Sequence, residues 1–384
     1  MSADASIDPG FSTPAMSACF SPDAHVRTML EVEAALAVSA ADLGLEDRAI
    51  ADEIASTCAS VQLDARRVVA TGWEVGTPVL ALRAAVGPHL SPAARRSLDG
   101  GHGSTSQDIV DTAMQLQIRA ALSAIEGDLR TMARRLAEIA RLHRDTPMIG
   151  RTFLQHARPT TFGLCVAGWL APVADLAAET GARIDACSVQ LGGPVGTLDG
   201  LGANGHGVAA RLAERLSLHH PAAPWHTDRR RVTEPCALAG RIARCMATIA
   251  TDVALLSSSD IGEIAVRAGG SSSMSGKRNP FDSVRAIAAA DACAGLVGTL
   301  GGARPIELQR GLGGWHLEWF AVPLIFMTAG ATVEAMLGCV HSLRANPAAM
   351  LEHLSESGPT DDTIARAGEL VDRILHHHGL LHER

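Results

Sequence analysis

The chain has 384 residues, a formal net charge of −8 at pH 7 and a hydrophobic content of 47%. This length suffices for two or three domains or for one large helical body. Because the charge is acidic and only 3% of the residues are aromatic, with no tyrosine, we expect an aliphatic, alanine-rich helical core and no nucleic-acid partner.

The N-terminus and the cysteines bear on where the protein resides. Residues 1–12 have neither the basic nor the apolar segment of a secretion signal, and no uninterrupted apolar run reaches the roughly 18 residues of a membrane span. The eight cysteines lie far apart and form no CxxC pair, which is typical of free, buried thiols in a reducing compartment. The sequence therefore predicts a soluble, cytoplasmic protein without membrane contact.

Short helices come first in the chain. Residues 22–98 show helical patterns that are broken by glycine and proline at residues 76–78 and 87–92. These breaks predict a separate small helical domain, which we place at residues 1–104.

A long amphipathic helix is predicted over residues 106–143. At a rise of 1.5 Å per residue it spans roughly 55 Å and needs partners of similar length. Four apolar stretches supply these partners: residues 162–185, with an interruption at Pro172, 234–263, 283–300 and 321–343. The five helices predict an all-α fold with a central bundle at residues 105–345. Along the first of them, apolar residues recur at alternating steps of four and three, as in a coiled-coil seam: Ile118, Leu122, Ile125, Leu129, Met132, Leu136 and Ile139.

A short helix over residues 363–378 closes the chain, and we place a C-terminal domain at residues 346–384. Three consecutive histidines at residues 376–378 raise the question of a metal site. No cysteine or carboxylate stands at a ligand spacing from them, so a solvated helix end is favoured and no metal site is predicted.

Three loops beside the long helices are rich in small and polar residues. The first, GGHGSTSQD at residues 100–108, precedes the 106–143 helix. Thr105 or Ser106 fits a helix N-cap there, and the same hydroxyl and backbone N–H groups also fit a carboxylate-binding site.

The second loop, RTFLQHARPTTFG at residues 151–163, precedes the next long helix. Thr160 or Thr161 fits the N-cap of that helix. Gln155 and His156 come earlier in the loop, where the imidazole either faces a cavity or has a structural role.

The third loop, GGSSSMSGKRNPFDSV at residues 269–284, contains Lys277, the only lysine of the chain. Backbone N–H groups and Ser271 or Ser272 can surround an oxyanion there, while Lys277 neutralises a substrate carboxylate. The alternative is an exposed linker, which leaves Pro280 and the density of hydrogen-bond donors unexplained.

The three loops resemble, in the same order, the signature segments of the fumarase/aspartase superfamily. GSSSMSGKRNP is similar to the GSSxMPxKxNP loop of that superfamily, TSQD to its first signature and LQHARPTTFG to its second. Further segments, including GGPVGTLDGLG, PWHTDRRRV and RGLGGWHLEW, look most like those of its 3-carboxy-cis,cis-muconate cycloisomerase branch. The resemblance extends over nearly the whole chain.

The resemblance implies a three-domain architecture and a homotetramer with a twenty-helix core, in which three subunits build each active site. It implies proton transfer next to a carboxylate, without a metal or organic cofactor. In this chain Ser271 matches the proton-transfer residue, His156 the second-signature histidine, and Lys277 a position that holds developing negative charge. The substrate is expected to be a small di- or tricarboxylate. The predicted substrate-binding residues are Thr105, Ser106, Gln107, Gln155, Ser272, Arg278, Asn279 and Arg310.

Several positions depart from the superfamily pattern. Ser275, Thr77 and Gly101 replace a proline, an asparagine and a histidine, respectively. Val284 stands where the superfamily has the glutamate that polarises the second-signature histidine, and Asp282 is one helical step away. The match is also interrupted after about residue 351, as though some tens of residues of the C-terminal domain were missing.

Three functions remain open on the sequence alone. The favoured one is a cycloisomerase of the 3-carboxy-cis,cis-muconate type, which forms a muconolactone in the breakdown of aromatic compounds. The second is a lyase of the same superfamily that eliminates an amine, nitrite or a similar group from a succinate-type substrate. The third, motivated by the departures, is a catalytically silent oligomeric homologue. Loss of activity in Ser271→Ala separates both enzymes from the silent homologue.

Overall fold

The computed structural model describes residues 9–270, 274, 277–303, 306–354 and 360–380. Within the first hundred residues, the helices begin at polar N-caps whose side chains accept hydrogen bonds from first-turn N–H groups. Four of these helices start with a proline, whose missing N–H costs no helical hydrogen bond at that position. The glycine–proline breaks therefore mark helix boundaries. The helices are α1 (Pro14–Phe20), α2 (Pro22–Asp42), α3 (Arg48–Ser60), α4 (Ala65–Val75), α5 (Pro78–Val86) and α6 (Pro92–Gly100).

The five predicted long helices are present, which confirms the all-α fold. They are α7 (Ser106–Leu142), α8 (Phe162–Asp185), α10 (Arg230–Leu256), α11 (Phe281–Gly301) and α12 (Gly314–Ser342). A shorter helix, α9 (Gly205–Leu216), precedes α10, and α13 (Pro347–Glu352) and α14 (Asp361–His377) follow α12. The seven apolar residues of the predicted seam along α7 are all buried, because α7 packs against α8, α2 and α12.

The predicted interruption of α8 at Pro172 is wrong, since the helix continues through this residue. A proline inside a helix leaves the carbonyl four residues earlier, here that of Gly168, without its usual donor. Both Pro172 and Gly168 lie on the solvent side of α8, where water can take the place of the missing N–H.

The second polar loop, for which the sequence predicts no regular structure, is a β-hairpin. Strands β1 (Pro147–Thr152) and β2 (Gln155–Thr161) pair antiparallel, and the turn between them consists of Phe153 and Leu154, both with positive φ. A second antiparallel pair, β3 (Ile264–Ala265) and β4 (Arg344–Ala345), joins the segment after α10 to the segment that follows α12.

The long helices run up and down, so that the bundle has two ends. Trp315, at the start of α12, and Arg229, just before α10, both donate hydrogen bonds to Asp111 in the second turn of α7. We call this the α7 N-terminal end. At the other end, the α7 C-terminal end, the start of α8 packs on His143, with the His143 and Phe162 rings 5.3 Å apart. The hairpin, the segment after α10 and the start of α11 lie at this second end.

Three helices are long and apolar enough to cross a membrane by length and composition alone, namely α8, α11 and α12. Polar residues interrupt each of these apolar windows, so the sequence contains no uninterrupted apolar run of this length. In α12, 72% of the most apolar window is buried inside the protein, which explains its composition by core packing. In α11 only 28% is buried, so this helix presents an apolar surface to its surroundings.

The eight cysteines are free. Three are half-buried, and the other five are buried: Cys58, Cys187, Cys236, Cys293 and Cys339. Burial raises the pKa of the Cys58 and Cys165 thiols to about 12, and that of the Cys187, Cys245 and Cys293 thiols to about 11. Since only the thiolate reacts with alkylating reagents, we expect these five thiols to be labelled by iodoacetamide at pH 7.5 at least about tenfold more slowly in the native protein than in urea. Peptide mapping by mass spectrometry measures the rates, and rapid native labelling of any of these five thiols contradicts its raised pKa.

Candidate active site

At the α7 N-terminal end, two predicted substrate-binding residues meet. Thr105 is the N-cap of α7, and its backbone N–H donates to Asp108 Oδ2 at 2.9 Å. Its Oγ1 accepts a hydrogen bond of 2.8 Å from the guanidinium of Arg310, which also donates to the carbonyl of Pro194 at 2.9 Å. Ser106, the first residue of the helix, is half-buried beside them. A guanidinium next to the free N–H groups of a helix start is a suitable environment for a carboxylate.

Asp108 connects three chain segments at the α7 N-terminal end through hydrogen bonds. Its carboxylate is buried and accepts hydrogen bonds from five donors on three segments: the N–H groups of Thr105, Gly192 and Gly193, the side-chain amide of Gln190, and His226 Nε2. The distance from His226 Nε2 to Asp108 Oδ1 is 2.7 Å. Asp108 therefore fixes residues 190–193 and 226 against the start of α7, and with them the surroundings of Thr105.

A second buried cluster lies one turn further along α7. The guanidinium of Arg229 donates to both oxygens of Asp111, at 2.7 and 2.9 Å, and to both oxygens of Glu318, at 2.9 and 2.5 Å. All three side chains are less than one-tenth exposed. Burial raises the pKa of the Glu318 carboxyl above its ordinary range, and Arg229 opposes this shift. Trp315 Nε1 completes the cluster by donating to Asp111 at 2.9 Å.

Gln107, a predicted substrate-binding residue, faces this interior. Its side-chain amide donates to Asp111 Oδ2 at 3.2 Å and to the carbonyl of His226 at 3.0 Å, and the residue is 1% exposed. Its position favours a structural role, while substrate binding by its amide stays a prediction.

At the α7 C-terminal end, Gln155 and His156 lie exposed on strand β2. The ring of His156 lies 6.0 Å from the ring of His353, centroid to centroid. His353 Nδ1 in turn lies 2.8 Å from Oε1 of Glu263, a fully buried carboxylate. Glu263 also accepts two hydrogen bonds from Arg151 of β1, at 2.7 and 2.9 Å. A second histidine, His353, thus lies next to His156 and is bound to the buried Arg151–Glu263 ion pair.

At the α7 C-terminal end, the two sides of the third loop pair with each other. Gly269 and Asn279 form an antiparallel bridge with a 2.8 Å hydrogen bond, and the side-chain amide of Asn279 donates to the carbonyl of Gly270 at 3.1 Å. Lys277 and Arg278 lie in the loop as exposed cations. Ser271 and Ser272, predicted for proton transfer and substrate binding, lie outside the described residues.

The missing glutamate is not replaced from its own helix. Val284 is 52% exposed, and the carboxylate of Asp282 is bound by Arg267, with N–O distances of 2.7 and 3.1 Å. Asp282 therefore does not take the place of the superfamily glutamate beside His156.

The two groups of predicted residues are far apart within one chain. Thr105 precedes α7 and the hairpin of His156 follows it, and a helix of 37 residues is about 55 Å long. Between the described residues, no hydrogen bond or ion pair joins His156 or Lys277 to Thr105 or Arg310. One chain thus carries two separate groups of the predicted site residues, one at each end of α7.

Of the three consecutive histidines, His377 and His378 lie near Asp175 of α8, with candidate metal-ligand atoms within 4.8 Å of one another. Arg130 and Arg134 line the same surface cavity. These two cations oppose the binding of a metal ion, and we propose no metal site there.

The fold and the site define an all-α enzyme class with polar loops at the ends of a long-helix bundle. A family model described as "Lyase" matches residues 10–293. The 3-carboxy-cis,cis-muconate cycloisomerase of Pseudomonas putida is 38% identical over 340 residues, which cover 86% of this chain and 80% of that protein. The crystal structure of the 3-carboxy-cis,cis-muconate lactonizing enzyme from Pseudomonas putida has a TM-score of 0.85 at 32% identity, covering 94% of this chain and 85% of the other.

A nitrosuccinate lyase of Streptomyces davaonensis is also similar, at 33% identity over 373 residues, covering 92% of this chain and 78% of that protein. The chain belongs to this lyase family and is an enzyme of the fumarase/aspartase superfamily. The resemblance drawn from the three loops is thereby confirmed.

Proposed function

We propose that the protein is a cycloisomerase of the 3-carboxy-cis,cis-muconate type. The observation that carries the proposal is the contact between Arg310 and Thr105 at the start of α7, which joins a guanidinium to a helix N-terminus in a half-site for a carboxylate. The 38% identity to the cycloisomerase of Pseudomonas putida supports the lactone-forming reaction.

The reaction is an isomerisation, so no co-reactant is needed. One carboxylate oxygen of the substrate adds to a carbon of the substrate's own double bond, and the π electrons move to the neighbouring carbon. There they are delocalised into an adjacent carboxylate, whose negative charge Lys277 and Asn279 stabilise. A proton then passes to that carbon from Ser271, which is regenerated from solvent through groups that include His156.

We further propose that the site is shared between copies in a homotetramer. Two half-sites at opposite ends of a 55 Å helix cannot hold one small substrate, whereas antiparallel packing of bundles brings unlike ends together. The outer face of α11 fits such packing, because its exposed residues are mostly small or apolar at steps of three and four: Phe281, Val284, Ala288, Asp291, Gly295 and Gly298. Burying this face also explains the apolar composition of α11. Residence in the cytoplasm stays a prediction.

A second function is favoured by one observation. The chain is similar to a nitrosuccinate lyase, and Val284 removes a carboxylate that the superfamily pattern places beside the second-signature histidine. The second candidate is therefore β-elimination from a succinate-type substrate, with the same residues holding the carboxylates.

A substrate panel separates the two functions. The purified protein is incubated with 3-carboxy-cis,cis-muconate, nitrosuccinate and aminated succinates, and the products are identified by NMR. The proposal expects a lactone from the muconate and no fumarate from the succinates. Fumarate with release of nitrite or an amine, and no lactone, overturns the proposal in favour of elimination. In a thermal-shift assay, a ligand at 100 times its dissociation constant should stabilise the protein by about 2.7 kcal/mol.

A further inference from the structure

We propose that His353, held by buried Glu263, takes the place of the missing glutamate as the positioning residue for His156. The proposal rests on the proposed function in so far as His156 takes part in proton transfer. It assigns a role to a residue that no signature segment contains, and it follows from two distances: 2.8 Å from His353 Nδ1 to Glu263 Oε1, and 6.0 Å between the two imidazole rings.

The hydrogen bond to Glu263 determines which nitrogen of His353 is available. Both oxygens of Glu263 accept from Arg151, and a carboxylate so bound acts only as an acceptor. His353 Nδ1 therefore carries a hydrogen and donates it, and in this tautomer Nε2 is the acceptor. The buried ion pair thus selects one tautomer of His353 and fixes the orientation of its ring.

A hydrogen-bond acceptor beside His156 has the same effect on its imidazole as a polarising carboxylate. When His353 Nε2 accepts the N–H of His156, the other nitrogen of His156 keeps its lone pair and becomes more basic and more nucleophilic. The centroid separation of 6.0 Å is longer than a direct hydrogen bond between imidazoles allows, so the proposal requires a rotation of the His156 side chain, which its exposure on the hairpin permits.

The alternatives on neighbouring elements are occupied or absent. Asp282 is bound by Arg267, and Val284 offers no acceptor. Arg151 lies opposite His156 in the hairpin, but its guanidinium is bound to Glu263. Within the described part of the chain, His353 has the ring that lies next to that of His156, with 6.0 Å between the centroids.

The test compares His353→Phe, which keeps a ring but no nitrogen, with His376→Phe on α14 as the matched control. The first readout needs no substrate: the rate at which diethyl pyrocarbonate modifies His156 at a fixed pH, measured by peptide mapping on the intact protein. We expect a fall of at least about threefold in His353→Phe and no change in His376→Phe, because the nucleophilicity of His156 depends on its hydrogen-bond partner.

The second readout is kcat with the substrate identified by the panel. We expect kcat to fall about 10- to 100-fold in His353→Phe with little change in KM, and free imidazole to restore part of it in His353→Ala. An unchanged modification rate of His156 overturns the inference, whatever happens to kcat. A reduced rate in a protein that makes no lactone leaves the inference standing and contradicts the proposed function instead.

Discussion

Replacing Ser271 by alanine is expected to lower kcat by about 10²–10⁴, with KM changed only a few-fold. This is the range by which a positioned acid or base accelerates a reaction, and the hydroxyl is the group that delivers the proton in the proposed mechanism. The carboxylate contacts of Arg310 and Lys277 are untouched by the change, so substrate binding should persist. Steady-state kinetics with the substrate from the panel measure both constants.

Ser273→Ala is the control, since it makes the same change two residues away in the same loop. We expect its kcat to stay within about twofold of the wild-type value. A Ser271→Ala variant that retains more than about one-tenth of the wild-type kcat excludes Ser271 as the proton-transfer residue. Equal losses in both variants assign the effect to loop structure rather than to proton transfer.

Replacing Arg229 by methionine is expected to lower the free energy of unfolding by about 3–5 kcal/mol. Arg229 neutralises two buried carboxylates at once, those of Asp111 and Glu318, through four hydrogen bonds. Without it, two like charges remain in the core with little water to solvate them. The Trp225 ring, 5.0 Å from the guanidinium, also loses its cation contact.

Arg230→Met is the matched control for this prediction. Arg230 is the next residue, bears the same charge and pairs with Asp228, but its side chain is 75% exposed. Surface pairs contribute little, so its unfolding should be close to that of the wild type. Urea denaturation and thermal melting of the two variants in parallel measure the difference. Equal unfolding of Arg229→Met and Arg230→Met contradicts the view that the cluster around Asp111 is a buried ionic core.

The helices were predictable because their signals are local. The seam along α7 fixes its burial pattern, and the bounds of α7 and α8 agree with the sequence-based prediction within one residue. The start of α10 is less well predicted, at Arg230 rather than residue 234, because it has no side-chain N-cap. The hairpin was missed since its strands are short and β2 is mostly exposed, with Pro159 inside it.

The polar clusters behind the site were not predictable from single segments. Glu263 lies 112 residues from Arg151 and 90 from His353, and Asp111 lies 118 residues from Arg229, so no local spacing announces either cluster. The site residues in the three polar loops were predicted instead from the resemblance of these loops to signature segments, which contain the groups proposed to bind the substrate. The one available signal was the polar run HTDRRR at the start of α10, whose first arginine, Arg229, turns inward.

We propose that one chain supplies two half-sites, which are joined only between different copies. Ser271→Ala and Arg310→Met each disable one half, and each variant alone should be inactive. Co-expression of the two with different tags, followed by isolation of mixed oligomers, should recover about a quarter of the wild-type activity, because each site needs two intact contributions from separate chains and each is present with a chance of one in two. Mixed oligomers as inactive as either variant alone would contradict a site shared between copies.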